Sequence, residues 1–405
     1  MSSSPRSFIF SGFSLPLVSL MGGSLGCGTD HAITTRPTQE TSPLAESDTG
    51  DLPTTPHDTP DRPEANESQG DPSTVGCEDS LHDSLRDGVA AAIAAGAPRL
   101  FVCAGVYDVS QTIEIHNGIT IVGDPTEGGV TLVATATPVF SALSTSPGSA
   151  GIDELAFGTM TVECAPWNEG TYNPEGGDGI QLDRGTVTLT HVDWIGCGAS
   201  IVRSSPSQPL SLQVVGGSIL DGGQGMWLWG NGLDAELDGL HLEGLTHEGI
   251  FFSPDTSDGM HPSNLHLQDL TVVENETSAA GNLLDIQCIS DAAPTMSLHD
   301  SLLVRNRSTT NAAYGAGGVL FMGIGCEQAS LHIEDSTIVG NTSAAQRAGG
   351  AYVYSGRLVS VNTNWGRTDT PNDNLPTDVY MWDVPELAVL DGVVSFDCTA
   401  GVGCR

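Results

Sequence analysis

LHLQDLTVVEN at residues 265–275, MSLHDSLLVRN at 296–306 and LHIEDSTIVGN at 331–341 are three copies of one eleven-residue pattern, recurring after 31 and then 35 residues. Each copy holds apolar residues at positions one and three, Asp at five and Asn at eleven. Alternation of that kind is the period of a strand, and a strand pattern returning every roughly 20–50 residues marks a solenoid. A single turn of such a chain has no core of its own; only the stack of turns has one. Weaker copies begin at Val187, Leu212, Ala235 and Leu387. At ~4.8 Å between stacked strands, about nine or ten such rungs make an all-β solenoid roughly 45 Å long. Asn275, Asn306 and Asn341 then fall at one corner. There a stacked amide ladder is favoured over the N-glycosylation that their Asn-x-Ser/Thr context also permits.

A second strand follows a glycine in many rungs: Ile180-Gln181-Leu182-Asp183, Met226-Trp227-Leu228-Trp229, Ile250-Phe251-Phe252-Ser253, Val319-Leu320-Phe321-Met322, Ala351-Tyr352-Val353-Tyr354 and Val379-Tyr380-Met381-Trp382. Placing positions one and three inward leaves two and four outward. The outward column then holds Trp227, Trp229, Phe251, Tyr352, Tyr354, Tyr380 and Trp382, seven of the chain's 22 aromatic residues on one sheet. Exposed flat rings offer a stacking surface for sugars, with Asp183 and Asp285 as acceptors for sugar hydroxyls. A covering loop or a neighbouring molecule is the competing account of the same row. On this assignment Trp227 and Tyr352 tolerate truncation, whereas Leu228 does not.

The chain carries 50 acidic residues against 13 basic ones, all of them Arg, for a formal net charge of −37. A field of that sign repels nucleic-acid backbones and anionic membrane surfaces, which excludes nucleic acid as a partner. An anionic polysaccharide would need a bridging cation such as Ca²⁺. Residues 1–26 read as an export signal, with Arg6 in the positive n-region, an apolar run over 8–21 and Ser24-Leu25-Gly26 as a small-residue cleavage site. Residues 27–76 contain seven Pro, ten acidic residues and no aromatic, a composition expected to form a disordered tether. The folded unit is expected over 77–405. Setting Cys27 aside leaves an even set, Cys77, Cys103, Cys164, Cys197, Cys288, Cys326, Cys398 and Cys404, which in an exported chain reads as disulfides. Residues distant along a solenoid meet only on adjacent rungs. Sequential pairing follows: Cys77 with Cys103, Cys164 with Cys197, Cys288 with Cys326, Cys398 with Cys404.

The folded unit opens on Cys77-Glu78-Asp79-Ser80, suited to a helix start, followed by a helix over 85–95 with Gly96 as its stop. The run Asp87-Gly88-Val89-Ala90-Ala91-Ala92-Ile93, then Leu100-Phe101-Val102-Cys103-Ala104-Gly105-Val106-Tyr107, then Asn117-Gly118-Ile119-Thr120-Ile121-Val122-Gly123 resembles the N-terminal cap and first rungs of right-handed parallel β-helix proteins of the pectate-lyase superfamily. The resemblance covers 77–405 and implies a right-handed parallel β-helix with an N-terminal capping α-helix. The rungs are also similar to repeats of polymorphic outer-membrane proteins. Ile338-Val339-Gly340-Asn341 precedes Gly349-Gly350-Ala351, and Leu303-Val304-Arg305-Asn306 precedes Gly317-Gly318-Val319, with an aliphatic where that family has an aromatic. Ser24-Leu25-Gly26-Cys27 resembles the lipobox of bacterial lipoproteins, Ser24 standing where Leu is usual. That likeness implies Cys27 as a lipid anchor and, with Gly28 after it, delivery to the outer membrane. Cleavage by an ordinary signal peptidase is the alternative.

Enzymes of the pectate-lyase superfamily use Ca²⁺-binding acids with a basic residue, or clustered Asp. The local cluster that fits this pattern is Asp178, Asp183 and Arg184. His191, His241, His247 and His299 fall at differing rung positions and form no constellation. Asp369, Asp373 and Asp378 lie in an Asn/Asp-rich loop that is a candidate Ca²⁺ site, with Asx turns as the competing account. The sequence is therefore read as a cell-surface β-helix lipoprotein, attached to the membrane through its N-terminal lipid, with a binding or display role toward a glycan or surface protein. A polysaccharide lyase or glycoside hydrolase is the alternative, and a passive surface-layer component a third.

Overall fold

The computed structural model describes residues 71–400 apart from internal stretches, of which 144–154 and 165–177 are the longest. The export signal, Cys27, most of the tether, Asp369 and Cys404 lie outside the described residues, and with them the expected Cys398–Cys404 pairing.

From Leu155 onward the chain alternates between two sheets, and each strand pairs in parallel with its counterpart one turn earlier and one turn later. In the first sheet the register runs Leu155, Val187, Leu212, Ala235, Leu265, Met296, Leu331, Leu358, Leu387. In the second it runs Phe140, Ile180, Val202, Met226, Ile250, Leu284, Leu320, Ala351, Val379, Cys398. The described residues build sheets of 20, 11 and three strands. Such a coil is a parallel β-helix, and its core is the column of aliphatic side chains that each sheet turns inward, from Ile180 and Leu182 to Val379 and Met381.

The eleven-residue pattern is a strand, a corner, a second strand and a second corner. Position five takes a left-handed backbone in each copy where it is described, with φ of 52° at Asp269, 50° at Asp300 and 51° at Asp335, and the same region at Thr159, His191, Gly216, Gly239 and Asn362. Position ten does likewise at Gly196, Asp221, Gly244, Glu274, Arg305 and Gly340. One left-handed residue turns the chain without breaking the ladder on either side, and Gly, Asn and Asp adopt it most readily. The column adds two copies that sequence comparison passes over, beginning at Leu155 and Leu358. Both lack Asn at position eleven.

The Asn residues form the expected ladder, fully inside the wall. The side-chain oxygen of Asn306 accepts from Asn275 N (3.1 Å) and Nδ2 (2.9 Å), and that of Asn341 accepts from Asn306 N (2.9 Å) and Nδ2 (3.0 Å). Each Nδ2 also reaches back to a carbonyl of the preceding strand, as Asn306 does to Val272 at 2.9 Å. Asn374 extends the ladder by a fourth rung, accepting from Asn341 N and Nδ2 at 3.1 and 2.9 Å. Burial of these amides removes them from the reach of a glycosyl transferase acting on the folded chain. The paired glycines ahead of the second strand have a different cause. A Cβ on Gly318 would collide with the Gly349 carbonyl, and one on Gly225 with that of Gly249, because adjacent rungs pass close there.

Three of the expected disulfides form: Cys77–Cys103, Cys164–Cys197 and Cys288–Cys326, with Cα separations of 5.2, 4.7 and 5.0 Å. Each ties one rung to the next. At the N-terminal side two expectations need correction. Asp71–Val75 is a strand, parallel to Ser80–His82 and Arg99–Val102, so strand structure reaches into the stretch read as tether. Its low apolar content is offset by pairing: Val75 is wholly buried, its carbonyl accepts from Cys103 N at 3.0 Å, and the adjacent disulfide holds it. The helix spans Leu85–Ala95 with Gly96 as its left-handed stop, but its N-cap is Ser84, which accepts from Asp87 N, rather than the acidic run at 78–80.

The ladder makes a stability prediction. Asn306→Leu removes the acceptor for two Asn275 donors and the donor for the Val272 carbonyl, and should cost roughly 2–4 kcal/mol in equilibrium urea unfolding. Arg307→Ala, on an exposed side chain whose pairing with Glu276 is 3.8 Å long, should stay within about 0.5 kcal/mol.

Candidate functional site

The eleven-stranded sheet turns one column of side chains outward: Gln181, Arg203, Trp227, Phe251, Asp285, Phe321, Tyr352 and Tyr380 occupy successive rungs in register. The period-two rule that fills the interior with Met226, Leu228, Ile250 and Phe252 sends their neighbours out. One segment is shifted by a residue from its sequence reading. Leu320 and Met322, not Val319 and Phe321, stack on the inward columns, and Phe321 joins the outward row.

The rings touch along the row. Trp227 and Phe251 stack with centroids 4.3 Å apart and planes 29° apart. The Arg203 guanidinium lies 5.4 Å over the Trp227 ring, and its Nε donates to Asp178 Oδ2 at 2.7 Å. Farther along, Phe321–Tyr352 and Tyr352–Tyr380 centroids are each 5.4 Å apart, and Tyr354 and Trp382 stack nearly parallel at 6.1 Å. Exposure divides this row in two. Trp229 is 44% exposed with Trp227 and Phe251 half-buried beside it; Trp382 is 39% exposed with Tyr354 and Tyr380 half-buried beside it. Between the two clusters the row is covered: Asp285 is 5%, Phe321 7% and Tyr352 0% exposed. Tyr352 therefore points outward yet is not surface, which corrects the expectation that it is a free ligand contact. Strand alternation fixes a side chain's direction but not what the chain lays over it.

Asp285 is the polar member of the covered segment. Burial raises its pKa to about 7, and the charge of Glu248 adds to the shift, while a hydrogen bond from Gln287 Nε2 at 3.2 Å opposes it. Glu248, 8% exposed, is likewise raised by burial, against hydrogen bonds from its own backbone and from Gln224. The adjoining His247 is shifted down by burial. Sequence reasoning singled out Asp285 but missed Glu248, Phe321, Arg203 and Gln287; Glu248 sits in the turn ahead of the strand Ile250–Asp255, where no periodicity marks it.

The trio offered under the alternative, enzymatic reading is differently employed. Asp178 has no side-chain exposure, and one of its carboxylate oxygens takes hydrogen bonds from both Arg203 and Gln181, the latter at 2.9 Å. A carboxylate so engaged anchors Arg203 over Trp227 and offers no oxygen to solvent. Asp183 and Arg184 are half-buried just beyond it. In the Asn/Asp-rich loop, Asp378 is fully buried and accepts from Asn374 Nδ2 at 2.8 Å, and Asp373 is 7% exposed. Among the described residues no three His, Cys, Asp or Glu side chains are placed to hold a metal ion.

Fold and site together define a parallel β-helix with a partly exposed aromatic face on one sheet. No family model and no curated protein matches the chain. Among solved structures it is similar to the Dettilon tailspike protein, at 11% identity and a TM-score of 0.24 over 78% of this chain. The aligned region spans 64% of that protein's length. The fold assignment rests on the strand register above.

Two measurements test the geometry. Tyr352→Ala should cost roughly 3–5 kcal/mol, as for other buried aromatics, while Trp229→Ala should leave the thermal midpoint nearly unchanged. The second concerns pH. Asp285 keeps its proton in the folded chain up to about 7 but loses it near 3.8 when unfolded, so its contribution to stability is lost as pH rises between those values. The melting temperature of wild type minus that of Asp285→Asn should therefore fall across that window and level off above it.

Proposed function

We propose that this is an exported cell-surface protein that binds carbohydrate without altering it, through the aromatic face of the eleven-stranded sheet. The observation that carries this reading is the Trp227–Phe251 stack, with Trp229 exposed beside it on a rigid, cross-paired sheet. Aromatic faces held flat on an inflexible support suit sugar rings, which present C–H groups to a ring and hydroxyls to its edge. The three disulfides support an oxidising, extracytoplasmic setting. We further infer a right-handed coil, the hand of nearly all strand–crossover–parallel-strand connections, with about nine or ten complete rungs. The helix Leu85–Ala95, which buries Leu85, Val89 and Ala92, closes the N-terminal end of the core. Attachment through a lipidated Cys27 and an acidic tether completes the reading.

The alternative, a polysaccharide lyase or glycoside hydrolase, has one observation in its favour. Asp285 and Glu248 are neighbouring buried acids, both shifted toward the protonated form, as acid catalysts are.

A glycan array run with and without Ca²⁺, followed by chromatography of any bound glycan after incubation, separates the two. Binding with the glycan recovered intact is expected, and Trp229→Ala should weaken it roughly three- to tenfold. Shortened or unsaturated products would replace the binding reading with the enzymatic one. For the anchor, Cys27→Ser should move the folded protein from the membrane fraction to the soluble one; retention with membranes removes the lipoprotein reading.

A further inference from the structure

The two exposed ring clusters lie on one line. Past the inward pair of each strand the sheet stays in register, through hydrogen bonds from Gln287 N to Phe252 O (3.0 Å), Gly323 N to Ile286 O (2.8 Å), Tyr354 N to Met322 O (2.7 Å) and Trp382 N to Val353 O (2.8 Å). With Trp229 paired to Ser253, the fourth-position column on successive strands runs Trp229, Ser253, Gln287, Gly323, Tyr354, Trp382. Rings stand at both ends and none between. Five strand spacings separate the end rings, which at ~4.8 Å each is about 24 Å. Each end has a ring pair: Trp227 on Phe251 at 4.3 Å beside Trp229, and Tyr354 on Trp382 at 6.1 Å with planes 11° apart. Hydrogen-bonding groups accompany both. Asn231 and Asp255 pair in register two residues beyond Trp229 and Ser253, and Tyr354 and Tyr380 bring hydroxyl groups to the other end. Between the ends Gln287 is exposed, while Ser253 and Gly323 are too small to obstruct. The neighbouring column offers no such path, because Asp285, Phe321 and Tyr352 are covered.

We propose that this column is a single track for one linear, uncharged glycan, which crosses the strands and is held at two points, on Trp229 and on Trp382, with Gln287 facing its middle. The proposal rests on the carbohydrate reading above and adds to it the direction, minimum length and charge class of the ligand. A linear β-linked chain advances by about one strand spacing per sugar, so about six units reach from ring to ring. A shorter chain engages one cluster only. A chain that spans both makes its second contact intramolecularly, at a high effective concentration. The charge class follows from the forty acidic residues against ten Arg over 77–405, a field that repels a polyanion along the whole track. Arg203, the basic member of the outward row, is already paired with Asp178 at 2.7 Å.

Calorimetry on the full chain with trisaccharides and octasaccharides of a linear β-glucan and a linear β-mannan reads affinity and stoichiometry together. We expect two trisaccharides per chain but a single octasaccharide, bound about tenfold or more tighter. Trp229→Ala and Trp382→Ala should each bring octasaccharide affinity down to about that of the trisaccharide, and each should leave one trisaccharide bound. Trp382→Phe, which keeps a ring, should retain most of the octasaccharide affinity and so separates loss of the contact from loss of the fold. An octasaccharide that binds no tighter than a trisaccharide, or two octasaccharides per chain, overturns the track while leaving carbohydrate binding at separate clusters. Octasaccharide affinity unchanged in Trp382→Ala overturns it as well, and confines binding to the Trp229 end. An oligogalacturonate of equal length bound as tightly as the neutral chain overturns the charge class. Absence of wild-type binding to every oligosaccharide overturns the carbohydrate reading and this proposal with it.

Discussion

The described strands of this protein satisfy their ladder hydrogen bonds outside their own rung. The N–H and C=O groups of one strand pair with the strand one turn earlier and one turn later, so a turn of chain in isolation has neither a ladder nor a core. This requirement places equivalent positions of successive rungs directly over one another at ~4.8 Å, and side chains form columns whatever their chemistry. Aliphatic columns fill the interior, the left-handed corners align at positions five and ten, and the Asn column hydrogen-bonds along its own length. The disulfides act in the same direction, each joining neighbouring turns.

Stacking also constrains charge. Forty acidic residues and ten Arg over 77–405 would repel strongly if like charges shared columns at one strand spacing. At two outer positions the sequence alternates instead. Glu274 is followed in the next rung by Arg305 at 2.7 Å, and Glu276 by Arg307 in register. Where acids do stack, at Asp269, Asp300 and Asp335, the column is exposed and screened by water, and Asn362 donates to the last of them.

Columns explain what could be read from sequence. Three copies with Asp at five and Asn at eleven are enough to fix the period, the inward faces, the ladder corner and the adjacent-rung disulfides. The copies at Leu155 and Leu358, like the weaker ones at Val187, Leu212 and Ala235, lack the Asp and Asn of the clear copies and are marked by strand alternation alone, so only the pairing register identifies those two. Phe321 was assigned to the wrong face because Val319-Leu320-Phe321-Met322 is apolar throughout, so no polar residue sets the phase, and only pairing with Leu284 and Ala351 does. Tyr352 shows a different limit. Its direction follows from alternation, but its complete burial between Phe321 and Tyr380 does not.

Asp285 is informative for the same reason. In a repeating fold each position has precedents above and below it, and here the precedents are Phe251 and Phe321. A Phe in this rung would continue the stack and bury apolar surface, whereas the acid loses hydration and stands near a second buried acid, Glu248. Folding alone favours the ring. The same comparison applied to Asn275, Asn306 and Asn341 gives the opposite result, because each polar group there is matched by the rung beside it and the column stabilises itself. Asp285 instead finds its hydrogen-bond partner within its own strand, in Gln287 two residues on, so the column contributes nothing to its satisfaction.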